Sequence, residues 1–301
     1  MQRIVVATRG SALALSQTSR VMELMQRAAP QYRFDRLVVR TRADLDQSLL
    51  GAEEEGAFVR ELEFALREGT ADMAVHHFKD VPPALLAGLV IPAIPFRGDA
   101  REAFVSTRYP HLLSLPNGAT IATRGLRRRA QLLAINPTWR FSEVWGSFDR
   151  RLLRLKDGTI DGMVLAAYGL DALNYGIKER IPFARMLPAA AQGAIALECR
   201  EEDRILRDIL SSLDEPRVRA VCVAERAFFQ GVFGGYRVPA GVHGEILDDR
   251  LFLEGLLALP DGSLVHRASI EGPLFAPEIL GNRLARAILG AGGLEGLAHR
   301  L

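Results

Sequence analysis

The sequence has few cysteines and little net charge, and both shortages narrow the possible functions. Cys199 and Cys222 are the only cysteines among 301 residues, which argues against a disulfide framework and favours a reducing compartment. The formal net charge is +2, too small for binding nucleic acid or a membrane surface through total charge. Any basic function must therefore come from local clusters of arginine or lysine.

Long hydrophobic runs are also missing. The longest apolar stretch, residues 85–96, contains two prolines and is shorter than the roughly 20 residues that a membrane helix needs. The apolar run that begins at Ile4 is too short for a signal peptide. We therefore expect a cytoplasmic globular protein without a membrane partner.

Several familiar site motifs do not occur. The sequence has no P-loop, no G-x-G-x-x-G, no G-x-S-x-G and no cysteine–histidine spacing typical of a metal site. His76 and His77 are adjacent, so on a strand their side chains point to opposite faces, which is poor geometry for one metal ion. We expect packing or hydrogen bonding from both histidines, and no metal.

The most distinctive stretch of the chain is residues 72–83. Residues 72–75 are predicted to form a buried strand, and a polar group containing Lys79 and Asp80 follows it directly. Pro82 and its neighbour then prevent a helix, because proline lacks an N–H and restricts the preceding residue. Ligands of α/β proteins bind just beyond strand ends. The stretch alone leaves two interpretations open, a ligand-binding turn and a solvated loop with an ion pair.

Two sequence patterns recur along the chain. Residues 122–125 repeat residues 7–10, in both cases between a predicted strand and a predicted helix, and residues 155–161 echo residues 66–72. Two matching pairs in the same order indicate two similar α/β lobes. The predicted elements are strands at 4–7, 36–41, 72–75, 120–121 and 195–199, with helices at 12–27, 58–67 and 126–135.

The chain is predicted to pass between the lobes twice, near residues 96–101 and 187–194, which suggests a hinge with a central cleft. The predicted domains are lobe 1 at 1–96 and 194–212, lobe 2 at 100–188, and a C-terminal α+β domain at 216–301. Within the last domain we expect helices at 217–233 and 277–289 around a three-stranded antiparallel sheet with strands at 242–247, 250–257 and 263–270.

Arginines stand at two predicted helix starts, in the turns 8–11 and 123–129. A helix N-terminus offers free N–H groups to an anion, and arginine adds bidentate recognition of carboxylate or phosphate. Three consecutive cations at the positive end of a helix dipole are unfavourable by themselves, so a ligand explains residues 127–129 better than a solvated face does. The pattern fits a multiply anionic ligand that contacts both lobes. Asp80 is the best-placed candidate acid, able to hold a cationic intermediate or to move a proton.

Eight stretches in collinear order match one known family: residues 7–15, 58–63, 74–82, 126–128, 192–194, 198–200, 224–226 and 234–239. Through them the whole chain resembles the porphobilinogen deaminase, or hydroxymethylbilane synthase, family. That family condenses four porphobilinogen units into a linear tetrapyrrole, releasing ammonia each time, on a dipyrromethane primer attached to a cysteine. The resemblance implies two periplasmic-binding-protein-like lobes plus a small cofactor-bearing domain.

The resemblance also implies roles for individual residues. Asp80 would be the catalytic acid, contacting pyrrole N–H groups and stabilising a cationic intermediate, with Lys79 beside it. The implied contacts to substrate and cofactor carboxylates are Arg9, Ser11, Thr123, Arg127, Arg128, Arg151 and Gln192. The expected partner is a small anionic pyrrole substrate, with no nucleic acid, and the expected state is a monomer.

Three positions depart from the family pattern. Tyr236 stands where the family carries its cofactor cysteine, and a phenol with a pKa near ~10 is a weaker nucleophile than a thiol near ~8.5. Glu55 replaces a usual lysine, and Trp145 replaces a usual arginine. Losing cations and gaining an acid would weaken attraction to a polycarboxylate.

Two hypotheses follow from these departures. The first is a working deaminase whose primer is linked to Tyr236 or bound without a covalent link. The second is a non-catalytic pseudoenzyme that binds a porphobilinogen-like, linear-tetrapyrrole or other anionic ligand in the cleft between the lobes. Consumption of porphobilinogen with release of ammonia distinguishes them.

Overall fold

A computed structural model describes residues 2–41, 56–143, 148–233 and 239–290. The strands are β1 (Gln2–Arg9), β2 (Tyr32–Val39), β3 (Met73–His77), β4 (Leu89–Ala93), β5 (Glu102–Val105), β6 (Thr120–Ala122), β7 (Arg140–Ser142), β8 (Gly162–Ala166), β9 (Glu179–Ile181), β10 (Ile195–Arg200), β11 (Ala240–Leu247), β12 (Arg250–Ala258) and β13 (Val265–Pro273). The α-helices are α1 (Ala12–Ala28), α2 (Arg60–Arg67), α3 (Leu126–Ile135), α4 (Phe148–Lys156), α5 (Ala167–Asp171), α6 (Arg204–Ser211), α7 (Pro216–Phe233) and α8 (Pro277–Gly290).

The chain divides into two compact units. The first comprises Met1–Gly98 and Gly193–Arg219, and the second comprises Asp99–Gln192 and Ala220–Leu301. The first unit contains one α/β sheet. The second contains another α/β sheet together with the C-terminal antiparallel sheet.

The sheet of the first unit has the strand order β2-β1-β3-β10-β4. β1 is parallel to β2 and β3, whereas β10 is antiparallel to β3 and β4. Apolar side chains cover this sheet, because Leu62 and Leu66 of α2 pack in one buried cluster with Ala7 of β1 and Ala74 of β3. The parallel strands β1 and β3 therefore present their carboxyl ends at the same edge.

The α/β sheet of the second unit repeats this plan, with the order β7-β6-β8-β5-β9. β6 is parallel to β7 and β8, and β5 is antiparallel to β8 and β9. Its core includes the fully buried Phe104, Ile121 and Val164. The shared arrangement of two parallel pairs followed by two antiparallel pairs confirms the two similar α/β lobes predicted from the repeated sequence words.

The C-terminal part of the second unit forms the predicted three-stranded antiparallel sheet, β11-β12-β13. Helices α7 and α8 supply Phe228 and Leu284 to its buried core. The two helices approach closely at Gly281, where an added Cβ would lie 2.2 Å from the Ala224 carbonyl oxygen. Only glycine fits there without a shift of the backbone. The predicted architecture of two similar α/β lobes and a small α+β domain with an antiparallel sheet is thus confirmed.

Some element bounds differ from the prediction. β2 spans Tyr32–Val39 rather than 36–41, because its pairing with β1 runs unbroken from Tyr32 onward, although charged residues interrupt the apolar pattern there. β13 likewise ends at Pro273 instead of residue 270, paired with β12 to its last residue. Helix α2 begins at Arg60 rather than at residue 58. In the part of the chain that the structure describes, no helix has the length and apolar character needed to span a membrane.

Candidate functional site

Lys79 and Asp80 lie in a single 3-10 turn, Phe78–Asp80, that follows β3 without a break. The buried Phe78 fixes the turn, since its backbone N–H donates to the carbonyl oxygen of Ala194 at 3.0 Å. Val81 then extends the chain and prevents another helical turn. The turn holds the half-buried Lys79 and Asp80 at the carboxyl end of β3.

Arg9 belongs to the same sheet edge, because β1 and β3 are parallel neighbours. Its guanidinium lies over the Phe58 ring, 4.1 Å from the ring centroid, a cation–π geometry. Ser11, two residues on, is the N-cap of α1 and its Oγ accepts from the Ala14 N–H at 3.2 Å. Ser11 therefore has a structural task at the helix start, and its own O–H remains a donor.

His77 lies among these charged groups. Burial lowers the pKa of His77 to about 4, Asp80 opposes that shift, and the positive charges of Lys79 and Arg9 reinforce it. The imidazole is therefore neutral near pH 7. The first unit brings together Arg9, Lys79 and Asp80 around a neutral histidine.

His76 points away from this group and is buried. Its Nε2 lies 2.8 Å from Oε2 of Glu198, which is 0% exposed and stands on the neighbouring strand β10. Glu63 lies close by, and burial followed by the negative charge of Glu198 raises its pKa. The hydrogen-bonding role expected for His76 is confirmed. No group of three or more candidate metal ligands occurs in the described ranges.

In the second unit, Arg127 and Arg128 open α3 and both contact the carboxylate of Glu102. Arg127 Nη2 lies 2.6 Å from Glu102 Oε1, and Arg128 Nη2 lies 2.9 Å from Oε2. Gln192 Nε2 donates to the same Oε1 at 3.1 Å and to the Ala100 carbonyl at 2.8 Å. Three residues predicted for the site are thus gathered by one fully buried glutamate.

Sequence reasoning missed Glu102. The available signal was an acidic residue directly before the apolar strand residues Ala103, Phe104 and Val105. A charged side chain on a buried strand is uncommon unless it is paired. The position of its partners, however, is not contained in that local pattern.

Thr123 and Arg151 complete the set predicted in the second lobe. The Thr123 hydroxyl donates to the Val164 carbonyl at 3.2 Å and is buried. Burial lowers the pKa of Arg151, and the nearby positive charges of Arg124 and Arg128 add to this shift. Arg151 is thus repelled by the positive charges of Arg124 and Arg128, and such repulsion favours the binding of an anion nearby.

Arg129, the third arginine of this run, lies with its guanidinium 5.6 Å from the centroid of the Phe141 ring. The departures Glu55, Trp145 and Tyr236 lie outside the described residues. The predicted site residues therefore form two described groups, one in each unit.

Two protein-family models match this chain. The family model "Porphobilinogen deaminase, dipyromethane cofactor binding domain" matches residues 4–208, and "Porphobilinogen deaminase, C-terminal domain" matches residues 220–290. Among solved structures, the chain is similar to a double mutant of the BvgS VFT2 domain of Bordetella pertussis, with 20% identity, a TM-score of 0.44, and coverage of 70% of this chain and 86% of that one.

Full-length relatives are more similar. Porphobilinogen deaminase of Chromobacterium violaceum is 41% identical over 298 residues, covering 97% of this chain and 96% of that protein. Porphobilinogen deaminase of Geobacillus kaustophilus is 41% identical over 307 residues, covering 100% and 98%, respectively. With two family models matched in order and relatives at this identity over nearly their whole length, the chain belongs to the porphobilinogen deaminase family.

Proposed function

We propose that this chain is a hydroxymethylbilane synthase-type transferase that deaminates porphobilinogen and joins the units into a linear tetrapyrrole on an atypically held primer. The observation that carries the proposal is the cluster of Asp80, Lys79 and Arg9 at one sheet edge. The proposed enzyme is cytoplasmic and monomeric, and its partner is a small anionic pyrrole.

Asp80 is the group suited to the chemistry. An ionised carboxylate accepts hydrogen bonds from pyrrole N–H groups and stabilises the positive charge that develops as ammonia leaves. The 3-10 turn fixes Asp80 through the buried Phe78, so the carboxylate is oriented before the substrate arrives. The neighbouring Lys79 and Arg9 supply positive charge for the substrate's own carboxylates.

The second unit supports the same ligand class. The positive charges of Arg124 and Arg128 act on Arg151, and Glu102 is a buried acidic partner of Arg128. Each pyrrole ring of the substrate or primer carries two carboxylates. The cationic cluster of this unit, taken by itself, therefore fits carboxylates of the dipyrromethane group, which supplies the pyrrole chain end that is extended.

The burial of the two cysteines bears on where the primer is anchored in this chain. Cys199 and Cys222 are each 0% exposed. Burial raises the pKa of the Cys199 thiol to about 12, so it is not a thiolate near neutral pH. We therefore assign the primer either to Tyr236, as an aryl ether or a ring-alkylated product, or to non-covalent binding.

A pseudoenzyme is the second candidate, and the replacement of the family cysteine by Tyr236 favours it. In this case the same arginines would hold a porphobilinogen-like or linear-tetrapyrrole anion without turnover. Ammonia release separates the two candidates, since only the transferase liberates it.

The test is the intact mass of the denatured protein before and after incubation with porphobilinogen, together with ammonia release. A covalent gain equal to pyrrole units, mapped to Tyr236 by peptide analysis, supports the tyrosine anchor. An unmodified mass with turnover supports a non-covalent primer, and an unmodified mass without turnover refutes the transferase. Asp80→Asn should abolish most of the turnover, and an Asp80→Asn variant of nearly full activity would contradict the role of Asp80.

A further inference from the structure

Glu102 organises the basic group of the second unit. It is 0% exposed, at the start of β5, and its two oxygens face different arginines. Burying a carboxylate costs free energy unless charged or polar partners surround it. Arg127 and Arg128 are such partners, and Gln192 also donates to Glu102 at 3.1 Å.

Arg127 is committed to contacts within the protein. Its Nη1 donates to the Leu187 carbonyl at 2.7 Å and its Nη2 donates to Glu102 at 2.6 Å. Gln131, one turn further along α3, holds Leu187 from the other side, accepting from its N–H at 2.8 Å and donating to its carbonyl at 3.0 Å. Arg127 therefore holds the 187–192 segment, which leads to Gln192, against helix α3.

Arg128 has donors left. One ion pair, from Nη2 to Glu102 Oε2, holds its guanidinium. Its Nε is buried and makes no hydrogen bond to any of the described residues. A guanidinium carries five N–H donors, and the Nε–H of Arg128 is one that no described residue satisfies, so Arg128 has capacity to bind a ligand carboxylate beside it. Arg151 adds positive charge at the same place.

We propose that Glu102 is a positioning residue. Its contact with Arg127 stabilises the protein internally, and its ion pair with Arg128 holds that guanidinium in the orientation that binds a ligand carboxylate. The ligand class rests on the proposed function, but the division of roles does not. Arg127, although it opens the same helix, acts on the ligand only through Glu102 and the 187–192 segment.

Two other roles for Glu102 predict different effects of the Glu102→Gln substitution. If Glu102 only neutralised excess positive charge, Glu102→Gln would strengthen the binding of an anion. If it only stabilised the fold, the substitution would lower the melting temperature and leave the affinity of the folded protein unchanged. A positioning role requires weaker binding, because glutamine removes the negative charge that holds the Arg128 guanidinium in its ion pair.

The experiment uses the full chain with arginine labelled with ¹⁵N, following the Nε–H signals of Arg127 and Arg128 assigned through their lysine variants. Porphobilinogen, and separately succinate, is titrated while dissociation constants are measured by calorimetry. We expect the Arg128 signal to shift with ligand and the Arg127 signal to stay in place. Glu102→Gln should raise the dissociation constant about tenfold, or about 1.4 kcal/mol, because Arg128 loses the ion pair that orients it. The substitution should also broaden the Arg128 signal without ligand.

Glu102→Asp tests geometry at constant charge, since its shorter side chain does not reach both arginines, and it should also weaken binding. The matched control is Glu179→Gln in the same unit, where Glu179 pairs with Arg185 at 3.1 Å, and it should leave affinity unchanged. Full binding by Glu102→Asp, tighter binding by Glu102→Gln, or a shift of Arg127 instead of Arg128 overturns the inference. If succinate shifts Arg128 and porphobilinogen does not, the proposed function fails and the inference stands. If neither ligand shifts Arg128, the inference is wrong.

Discussion

Replacing Glu225 should destabilise the second unit strongly, because this side chain joins three separate segments. Glu225 lies on α7 and is 0% exposed. Its Oε2 accepts from the Ala191 N–H at 2.7 Å, and its Oε1 accepts from the Gly244 N–H at 2.8 Å. Ala191 is the neighbour of Gln192, so the contact also supports the residue that meets Glu102.

The magnitude follows from the two hydrogen bonds. Glu225→Ala leaves two buried backbone donors without an acceptor, at about 1–3 kcal/mol each. Removing a buried charge recovers some desolvation free energy, so we expect a net loss of about 2–4 kcal/mol. Glu225→Gln keeps one acceptor oxygen and should lose about half as much. The free energy of unfolding of a whole domain is only about 5–15 kcal/mol, so Glu225→Ala should remove a large fraction of it.

Tryptophan fluorescence during urea unfolding is the appropriate assay. The only tryptophans are Trp139 and Trp145, both within Asp99–Gln192 of the second unit, so the signal follows the unit that contains Glu225. A lower midpoint at an unchanged slope reports lost stability.

The matched control for Glu225→Gln is Glu245→Gln, a change of the exposed glutamate on β11, which should stay within about 0.5 kcal/mol of the parent. If the urea midpoint of Glu225→Gln equals that of Glu245→Gln, the hydrogen bonds assigned to Glu225 do not contribute to stability as argued.

Two further predictions concern titration and thiol reactivity. Because His77 has a pKa of about 4 when folded against 6.5 unfolded, protons bind the unfolded chain first, and the free energy of unfolding should fall as pH drops from 6.5 toward 4. His77→Asn should flatten this dependence between pH 7.5 and 5, and an identical slope in both proteins would contradict it. Cys199 and Cys222 are both buried, so they should resist a thiol reagent at pH 8 in the native state and react with it in urea. Rapid labelling of the native protein would contradict this and make the two cysteines candidates for the primer anchor again.

The repeated lobes could be predicted from the sequence because each strand–turn–helix unit is local. The bounds of β2 could not, since Arg33 and Asp35 interrupt its apolar pattern while pairing with each other at 2.8 Å. β10 is harder still. It returns after lobe 2 and lies between β3 and β4, an order that no local periodicity contains.

The candidate site likewise has a part that the sequence predicts and a part that it does not. Helix-start arginines such as Arg127 and Arg128 were identifiable from dipole chemistry, and the structure brings both to one carboxylate. That carboxylate, Glu102, lies 25 residues before Arg127 and 90 before Gln192. Sequence patterns predict which residues carry charge, whereas tertiary contacts decide which charges the protein uses internally.

Three buried glutamates show how this fold couples stability to the site. Glu198 holds His76 on the strand that leads into Asp80, Glu102 holds the arginines of α3, and Glu225 holds the segment ending at Gln192. Each is 0% exposed, so each is stable only with its partners in place. A substitution at one of these acids therefore displaces a site-bearing segment as it destabilises the core. It follows that loss of ligand affinity and loss of stability should appear together at Glu225, whereas at Glu102 the loss of affinity should exceed that expected from stability alone.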